Sequence, residues 1–211
     1  MINDNPGKLI VFEGIDGAGT TTQSKLLSNT LKAHWTKEPS DNPIGKVTRQ
    51  LLKDTSYSVD RTAMCLMFVA DRLQHTHEEI LPQLKEGKNV ICDRYIWSTL
   101  AYQTIYHGQD WITELHKYDY IHLPALTFVL DCELNVAEKR RNSRDDSTER
   151  YDDYEIQKRV KENYLKLALN YPDRSVIVDA NKDLEVVQEE IYQIVMKRLF
   201  TNEFKNLGAR H

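Results

Sequence analysis

A glycine-rich segment near the start of the chain constrains the fold more than any other feature. It runs from Gly14 to Thr21 as Gly-Ile-Asp-Gly-Ala-Gly-Thr-Thr, and it follows the short apolar run Leu9–Phe12. Leucines then recur at helical spacing as far as Leu31. A strand, a glycine turn and a helix in this order are the context of a phosphate-binding loop. The segment therefore predicts an α/β protein that binds a nucleoside polyphosphate, and a glycine-rich turn without a ligand is the alternative.

This loop departs from its usual pattern at one position. The pattern requires a glycine, four residues, a second glycine, a lysine, and then serine or threonine. Gly14, Gly19 and Thr21 fit, but Thr20 occupies the lysine position. Glycines allow the loop N–H groups to point into one concavity, and the N-terminus of the following helix adds partial positive charge. Thr21 is placed to offer its hydroxyl to Mg²⁺.

Length, charge and cysteine content exclude several classes of protein. We expect residues 1–211 to form a single domain with a substantial core. The net charge of −4 gives no support for binding to nucleic acid. The three cysteines are far apart in apolar surroundings, which favours reduced thiols in a cytoplasmic protein over a disulfide or zinc framework. We see no signal peptide or membrane span, and we expect residues 201–211 to be a flexible tail.

Apolar, strand-like runs alternate with helical patterns along the chain. The predicted strands are Leu9–Phe12, Ala33–Thr36, Val90–Cys92, Leu126–Leu130 and Val176–Val178. The predicted helices cover about 21–32, 44–53, 60–85, 97–107, 134–142, 153–169 and 183–199. This alternation is typical of parallel strands joined by right-handed crossovers. It predicts a three-layer α/β fold in which helices flank a five-stranded parallel sheet.

Charged or polar residues follow every predicted strand. After the glycine loop come Lys37-Glu38-Pro39, Asp93-Arg94-Tyr95, Asp131 and Asp179-Ala180-Asn181, each at the end of its own strand. Ligands of parallel α/β sheets bind at the carboxyl ends of the strands. We therefore expect these residues to surround the bound phosphates.

Several segments, taken together and in order, resemble the thymidylate kinases of the nucleoside monophosphate kinase branch of the P-loop fold. They are Phe12-Glu13-Gly14-Ile15-Asp16-Gly17, Glu38-Pro39, Leu66-Met67-Phe68, Ala70-Asp71-Arg72, Asp93-Arg94-Tyr95, Ser98 with Ala101-Tyr102-Gln103, and Glu149-Arg150-Tyr151. The resemblance covers about residues 9–199. It implies a P-loop NTPase fold with a mobile lid at about 141–153. It also implies transfer of the γ-phosphoryl group of ATP to dTMP with Mg²⁺ as cofactor, and a homodimer.

The resemblance further implies a role for individual residues. ATP would contact Gly14, Asp16, Gly17, Ala18, Gly19, Thr20, Thr21, Thr22, Arg140 and Asn181, and Mg²⁺ would be held by Thr21 and Asp93. The dTMP site would comprise Asp16, Glu38, Pro39, Phe68, Arg72, Arg94, Ser98, Tyr102 and Tyr151. Within it Asp16 would bind the deoxyribose 3′-hydroxyl, Arg94 would hold the acceptor phosphate, and Phe68 would stack on thymine. Arg72 and Ser98 would meet the base, Tyr102 would crowd the 2′ position of the sugar, and Tyr151 would close from the lid.

Considered alone, four of these residues have plainer interpretations. Arg94 could form an ion pair with Asp93. Phe68 lies in an apolar helical pattern and could belong to the core. Tyr102 could serve packing alone, and Ser98 could be a helix cap or a solvated hydroxyl.

The predicted lid is polar and rich in arginine, and phosphoryl transfer depends on positive charge around the transferring group. Thymidylate kinases place a catalytic arginine in the phosphate loop or in the lid, and Gly17 occupies the loop position. The resemblance therefore implies that Arg144 and Arg150 are catalytic, together with Asp93 and Arg94.

Threonine in place of the loop lysine leaves three interpretations open. Loss of such a cation costs about 3–4 kcal/mol, or about a hundredfold to a thousandfold in rate. In the first, a neighbouring cationic side chain, either Lys37 or a lid arginine, replaces the lysine. In the second, the rate is low but sufficient. In the third, the protein binds nucleotides without turning them over. A kinase for another pyrimidine deoxynucleotide such as dUMP is a further alternative.

Overall fold

A computed structural model describes residues 5–117, 121–143 and 150–200. The strands of the described residues are β1 (Leu9–Gly14), β2 (His34–Lys37), β3 (Val90–Asp93), β4 (Leu126–Asp131) and β5 (Ser175–Asp179). They form one sheet in the order β2-β3-β1-β4-β5, and every neighbouring pair is parallel. The predicted five-stranded parallel sheet is confirmed, and its central strand β1 is buried along its whole length.

Helices connect and cover the strands. They are α1 (Thr20–Leu31), α2 (Pro43–Lys53), α3 (Arg61–His75), α4 (Leu81–Lys85), α5 (Ile96–Gln103), α6 (Gln109–Glu114), α7 (Leu134–Asn142), α8 (Tyr154–Asn170) and α9 (Leu184–Val195). Two π-helical segments extend them, Thr76–Ile80 between α3 and α4, and Met196–Phe200 after α9.

The apolar residues of the sheet divide between two cores. Ile10 and Phe12 of β1 belong to the larger core, and Leu9 and Val11, which alternate with them, belong to the smaller one. Successive side chains of a strand point to opposite faces, so both faces of the sheet are covered. This arrangement is the three-layer architecture expected from the sequence.

Two helical regions differ from the sequence prediction. The helix expected over 60–85 changes to π-helical hydrogen bonding at Thr76–Ile80. Pro82 offers a reason, because proline lacks the N–H that would bond to the carbonyl four residues earlier. The helix expected over 97–107 ends at Gln103, and the short helix α6 was not predicted.

Only the two ends of the predicted lid, 141–143 and 150–153, can be described. Its central residues 144–149 and the predicted tail 201–211 lie outside the described residues. Within the part of the chain that is described, no helix has the length and apolar character needed to cross a membrane.

Candidate active site

The phosphate loop connects the end of β1 to the first turn of α1. Gly17 and Gly19 have φ angles of 90° and 98°, a region that favours glycine. A Cβ atom on Gly17 would also overlap the carbonyl oxygen of Ala137 in helix α7. Helix α7 therefore packs directly against the loop. Thr20, in the lysine position, begins helix α1 and is buried.

Thr21 and Asp93, the two predicted metal ligands, are in contact beside the loop. Strand β3 runs next to β1, and the Thr21 hydroxyl donates a hydrogen bond to Oδ2 of Asp93. The other oxygen of Asp93, Oδ1, is buried and has no hydrogen-bond partner among the described residues. Mg²⁺ accepts such oxygen ligands, directly or through its waters, and takes the rest of its shell from phosphates. The pair therefore fits this cation, and no cluster of three or more His, Cys, Asp or Glu side chains competes for it in the described ranges.

Arg94 binds the loop rather than its neighbour in sequence. Its guanidinium donates to Oδ1 of Asp16 at 2.6 Å and to the carbonyl oxygen of Gly14 at 2.9 Å. The plainer interpretation, an ion pair with Asp93, therefore does not describe this side chain. The arrangement places a guanidinium directly against the phosphate loop.

Asp16 links the loop to helices α5 and α8. Its Oδ2 accepts hydrogen bonds from the Tyr102 hydroxyl and from Nε2 of Gln157, both at 2.8 Å. Gln157 also accepts a bond from the backbone N–H of Asp16 at 3.1 Å. Sequence reasoning missed Gln157 because a single glutamine within a helical pattern belongs to no motif. Tyr102 in turn packs edge-on against Tyr151, with 5.6 Å between ring centroids.

A cleft beside the loop brings the predicted acceptor residues together. The space between its walls, including the open mouth, is about 670 Å³, which suits a small-molecule ligand. Its lining contains all nine residues predicted to bind dTMP: Asp16, Glu38, Pro39, Phe68, Arg72, Arg94, Ser98, Tyr102 and Tyr151. Leu52, Thr99 and Gln103 also line it and were not predicted.

Arg72 lines this cleft, but its guanidinium is hydrogen-bonded inside the protein. Its five N–H donors bind the Glu38 carboxylate twice, the Thr99 hydroxyl, His116 and the Tyr95 carbonyl, at 2.7 to 3.0 Å. Burial and the adjacent Arg72 lower the pKa of His116 to about 4, so a neutral imidazole accepts this bond. A contact between Arg72 and a base edge would have to share donors that these partners already occupy.

His75 binds the second oxygen of Glu38. Its Nδ1 lies 3.2 Å from Oε1 of Glu38, and its Nε2 lies 2.7 Å from the Thr36 hydroxyl and 3.4 Å from Glu79. Burial alone would lower the pKa of His75, but the hydrogen bonds to both glutamates outweigh burial and raise the pKa to about 9. The hydrogen bond from His75 lowers the pKa of Glu79 to about 2. A charged histidine therefore supports the carboxylate that holds Arg72.

Glu13 is a buried acid for which the sequence suggested no role. It accepts hydrogen bonds from the Ser98 hydroxyl at 2.6 Å and from the backbone N–H groups of Tyr95 and Ser98 at 3.0 and 3.2 Å. Burial raises the pKa of this carboxyl, although the bond from Ser98 and two nearby arginines oppose the change. These contacts fix the start of α5, the helix that carries Ser98 and Tyr102. The sequence signal that could have identified this role is a carboxylate, Glu13, at the end of an otherwise apolar strand.

A second cleft borders the loop at Ala18 and Gly19, with a volume of about 680 Å³ including its mouth. Its lining contains four of the predicted ATP-binding residues, namely Ala18, Gly19, Thr22 and Arg140, together with Ala180. Gln23, Lys182, Leu184 and Val187 also line it and were not predicted. Asn181 does not line it; its side chain bonds to the Glu133 N–H at 2.8 Å and to Asp179 at 2.7 Å.

Of the two predicted catalytic lid arginines, the structure describes Arg150. Arg144 lies outside the described residues. Arg150 donates hydrogen bonds to the carbonyl oxygens of Leu51 and Asp54, at 3.2 and 2.6 Å. These carbonyls belong to the C-terminal end of α2, where a cation is favoured by the helix dipole. This structure does not bring Arg150 to the phosphate loop, and its catalytic role stays a prediction.

Comparisons with known proteins converge on one family. The family described as thymidylate kinase matches residues 12–191. A probable thymidylate kinase from Thermococcus onnurineus is 39% identical over 204 residues, covering 90% of this chain and 98% of that protein. A thymidylate kinase from Limosilactobacillus reuteri is 36% identical over 207 residues, covering 91% and 97%. A solved structure of thymidylate kinase from Candida albicans matches with a TM-score of 0.80 at 29% identity, covering 90% of this chain and 92% of that chain.

Proposed function

The chain belongs to the thymidylate kinase family, and from this premise we propose that it transfers the γ-phosphoryl group of ATP to dTMP, giving ADP and dTDP. One observation supports the proposal most strongly. Every acceptor residue implied by the family resemblance lines one cleft, and residues of the phosphate loop border both that cleft and a second one. Asp16 borders the first cleft, and Ala18 and Gly19 border the second. Two nucleotides bound in these clefts would direct their phosphates toward the same loop.

In the acceptor cleft, Arg94 is the group suited to the phosphate of dTMP. Its planar guanidinium can bind two phosphate oxygens at once, and its contacts with Gly14 and Asp16 hold it at the loop. The half-buried ring of Phe68 would stack on the base. The Tyr102 hydroxyl donates a hydrogen bond to Asp16, and its ring would crowd a 2′-hydroxyl on the acceptor sugar.

In the transfer step, an oxygen of the dTMP phosphate forms a bond to the γ-phosphorus of ATP. The bond from the γ-phosphorus to the β,γ-bridging oxygen breaks, and its electron pair leaves with ADP. Catalysis of this step depends mainly on positioning and on positive charge. The loop N–H groups and the N-terminus of α1 would bind the donor phosphates, and Arg94 would reduce the repulsion between the two anions.

We include Mg²⁺ in the proposal as the cofactor. Thr21 and Asp93 would hold it, and when bound it would supply further positive charge to the phosphates of ATP. The orphaned buried oxygen of Asp93 is the structural support for this assignment.

We also propose that the protein is cytoplasmic and homodimeric. Its three cysteines are buried free thiols, which suits a reducing compartment. Val47 on α2 and Leu66 on α3 are apolar and 48% and 44% exposed, and these two helices pack side by side. An interface through these helices would cover both side chains.

The test is ADP formation from ATP and Mg²⁺ with dTMP, dUMP or dCMP as acceptor, and with no acceptor. We expect turnover that depends on the acceptor and is fastest with dTMP. Arg94→Met should lower kcat/KM for dTMP by about a hundredfold or more. Arg159→Met removes the same charge from an exposed position on α8 and should leave the rate unchanged. Binding of dTMP without any ADP formation would overturn the proposal in favour of a nucleotide-binding protein without turnover.

A further inference from the structure

The phosphate loop carries no positively charged side chain at the position where phosphoryl transfer needs one. Thr20 is buried, and its methyl group lies beside Gly14, so this side chain contributes packing and no charge. The loop N–H groups carry only partial charges, while the transferring group spreads negative charge over three oxygens. A cation from another element is therefore needed at this loop.

Most of the basic side chains that the structure describes around the site bind groups outside the loop. Arg94 does contact the loop, but Asp16 pairs with it at 2.6 Å and it lines the acceptor cleft. The others that the structure describes bind groups outside the loop: Lys37 pairs with Asp41 at 3.6 Å, Lys161 with Asp131 at 2.6 Å, Lys182 with Glu190 at 2.9 Å, Arg140 with the Ala180 carbonyl at 3.1 Å, and Arg150 with the Leu51 carbonyl at 3.2 Å.

Arg141 reaches the loop from helix α7. The carbonyl of Ala137 on this helix abuts Gly17, and Arg141 lies four residues further on, about one helical turn away and on the same face. Its Nη1 donates a hydrogen bond to the backbone carbonyl oxygen of Asp16 at 2.9 Å. The loop and this guanidinium are therefore joined directly, through the backbone of the loop itself.

Arg141 differs from those side chains in that it contacts the loop while it also forms an ion pair. Its Nε lies 3.7 Å from Asp152, a separation similar to that between Lys37 and Asp41 and longer than the 2.6 Å contact between Arg94 and Asp16. The side chain is 19% exposed, which limits screening by solvent. Asp16 borders the acceptor cleft, and the loop residues that follow it border the second cleft. Arg141 thus contacts the loop at the residue that borders the acceptor cleft, two positions before the residues that border the second cleft.

We propose that Arg141 is a catalytic residue that supplies the positive charge absent at Thr20. The proposal rests on the function proposed above and identifies which side chain completes that site. Held at the carbonyl of Asp16, its guanidinium donates to oxygens of the γ-phosphoryl group as the bond to the dTMP oxygen forms and the bond to the ADP oxygen breaks. It offsets negative charge in that step and neither gains nor loses a proton.

A double-mutant cycle tests the assignment. In the natural Thr20 background, Arg141→Gln should lower kcat by about a hundredfold, with the affinity for dTMP unchanged in the absence of ATP. In a Thr20→Lys background, the same change should lower kcat by about threefold or less, because the loop then carries its own cation. Lys139→Gln removes an equal charge from an exposed position on the same helix and should have no effect in either background.

Each outcome decides for or against the proposal. Equal losses from Arg141→Gln in the two backgrounds, or no loss in the natural one, would overturn it. A fall in the free energy of unfolding that accounts for the lost rate would show a structural role instead. If Thr20→Lys is itself inactive, Arg141→Lys decides: it should retain clearly more activity than Arg141→Gln, and equal activity of the two would refute the proposal. A natural protein without dTMP-dependent ADP formation would instead refute the proposed function.

Discussion

Alkaline pH should destabilise this fold by deprotonating His75. Hydrogen bonds to two glutamates outweigh burial and raise its pKa from the ordinary 6.5 to about 9. Because the folded protein binds this proton more tightly than the unfolded chain, protonated His75 stabilises the fold. This stabilisation is fully present below pH 6.5, the pKa of the unfolded state, and is lost as the pH rises through 9. Each tenfold difference in proton affinity is worth about 1.4 kcal/mol, so the difference between 6.5 and 9 corresponds to about 3 kcal/mol.

Comparing the wild type with His75→Gln separates the contribution of His75 from other groups that also make the protein less stable at alkaline pH. Burial also raises the pKa of the Cys65 and Cys92 thiols, which lowers stability at alkaline pH in both proteins. Urea unfolding of both proteins should show that the advantage of the wild type is larger at about pH 6 than at about pH 10 by about 3 kcal/mol. Glu79, with its pKa lowered to about 2, acts in the acid range: its contribution is present above 4.5 and is lost as the pH falls through 2.

His34→Gln is the matched control. His34 contacts the same Glu79 at 2.8 Å, but it is a third exposed and does not touch Glu38. We expect its removal to change the free energy of unfolding less than the removal of His75 does. If the wild type exceeds His75→Gln by the same margin at both pH values, His75 is neutral in the native protein and the reasoning is refuted.

Three further predictions concern the loop and its surroundings. In urea unfolding, Gly17→Ala should destabilise the free protein by at least about 1 kcal/mol more than Gly19→Ala. Both residues have a positive φ, but of the two only Gly17 abuts helix α7, so an added Cβ would overlap that helix. Equal losses of stability would contradict this prediction. Glu38→Gln should cost about 3 kcal/mol in the same assay, since it leaves the buried charge of Arg72 without its carboxylate, and a loss below about 1 kcal/mol would show that the pair is not essential. Asp93→Asn should raise the Mg²⁺ concentration for half-maximal rate about tenfold, and an unchanged requirement would exclude Asp93 from the metal site.

The strand ends explain how much of the site could be predicted from the sequence. Residues such as Asp93 and Arg94 follow an apolar run directly, and parallel strands end at a common edge, so their convergence on the loop follows from topology alone. The same holds for Glu38 after β2. For Ser98 and Tyr102 on the next helix, the family resemblance rather than the pattern of the residues predicted a place in the acceptor site, and both line the acceptor cleft.

Contacts between elements that are distant in sequence could not be predicted in this way. His75 and Glu79 lie four residues apart on a helical pattern, where a histidine and a glutamate are typical of a solvated face. Only the packing of this helix against β2 brings Glu38 to His75 and buries the histidine. Arg150 illustrates the same limit, because its position in an arginine-rich segment does not reveal that it binds the end of α2.

Two arginines bind the phosphate loop, and hydrogen bonds to the loop offset an unfavourable backbone angle at one of them. Arg94 has a φ angle of 70°, which costs about 1–2 kcal/mol for a residue with a Cβ. Its N–H nevertheless bonds to the Phe12 carbonyl at 2.8 Å, and its guanidinium bonds to the carboxylate of Asp16. Arg141 holds the backbone carbonyl of the same Asp16. In a loop without its own lysine, this chain therefore binds two guanidinium groups to a single loop residue. Arg94, which follows β3, bonds to the carboxylate of Asp16, and Arg141 of α7 bonds to its backbone carbonyl. If Arg141 acts as proposed, the phosphoryl group passes between these two cations.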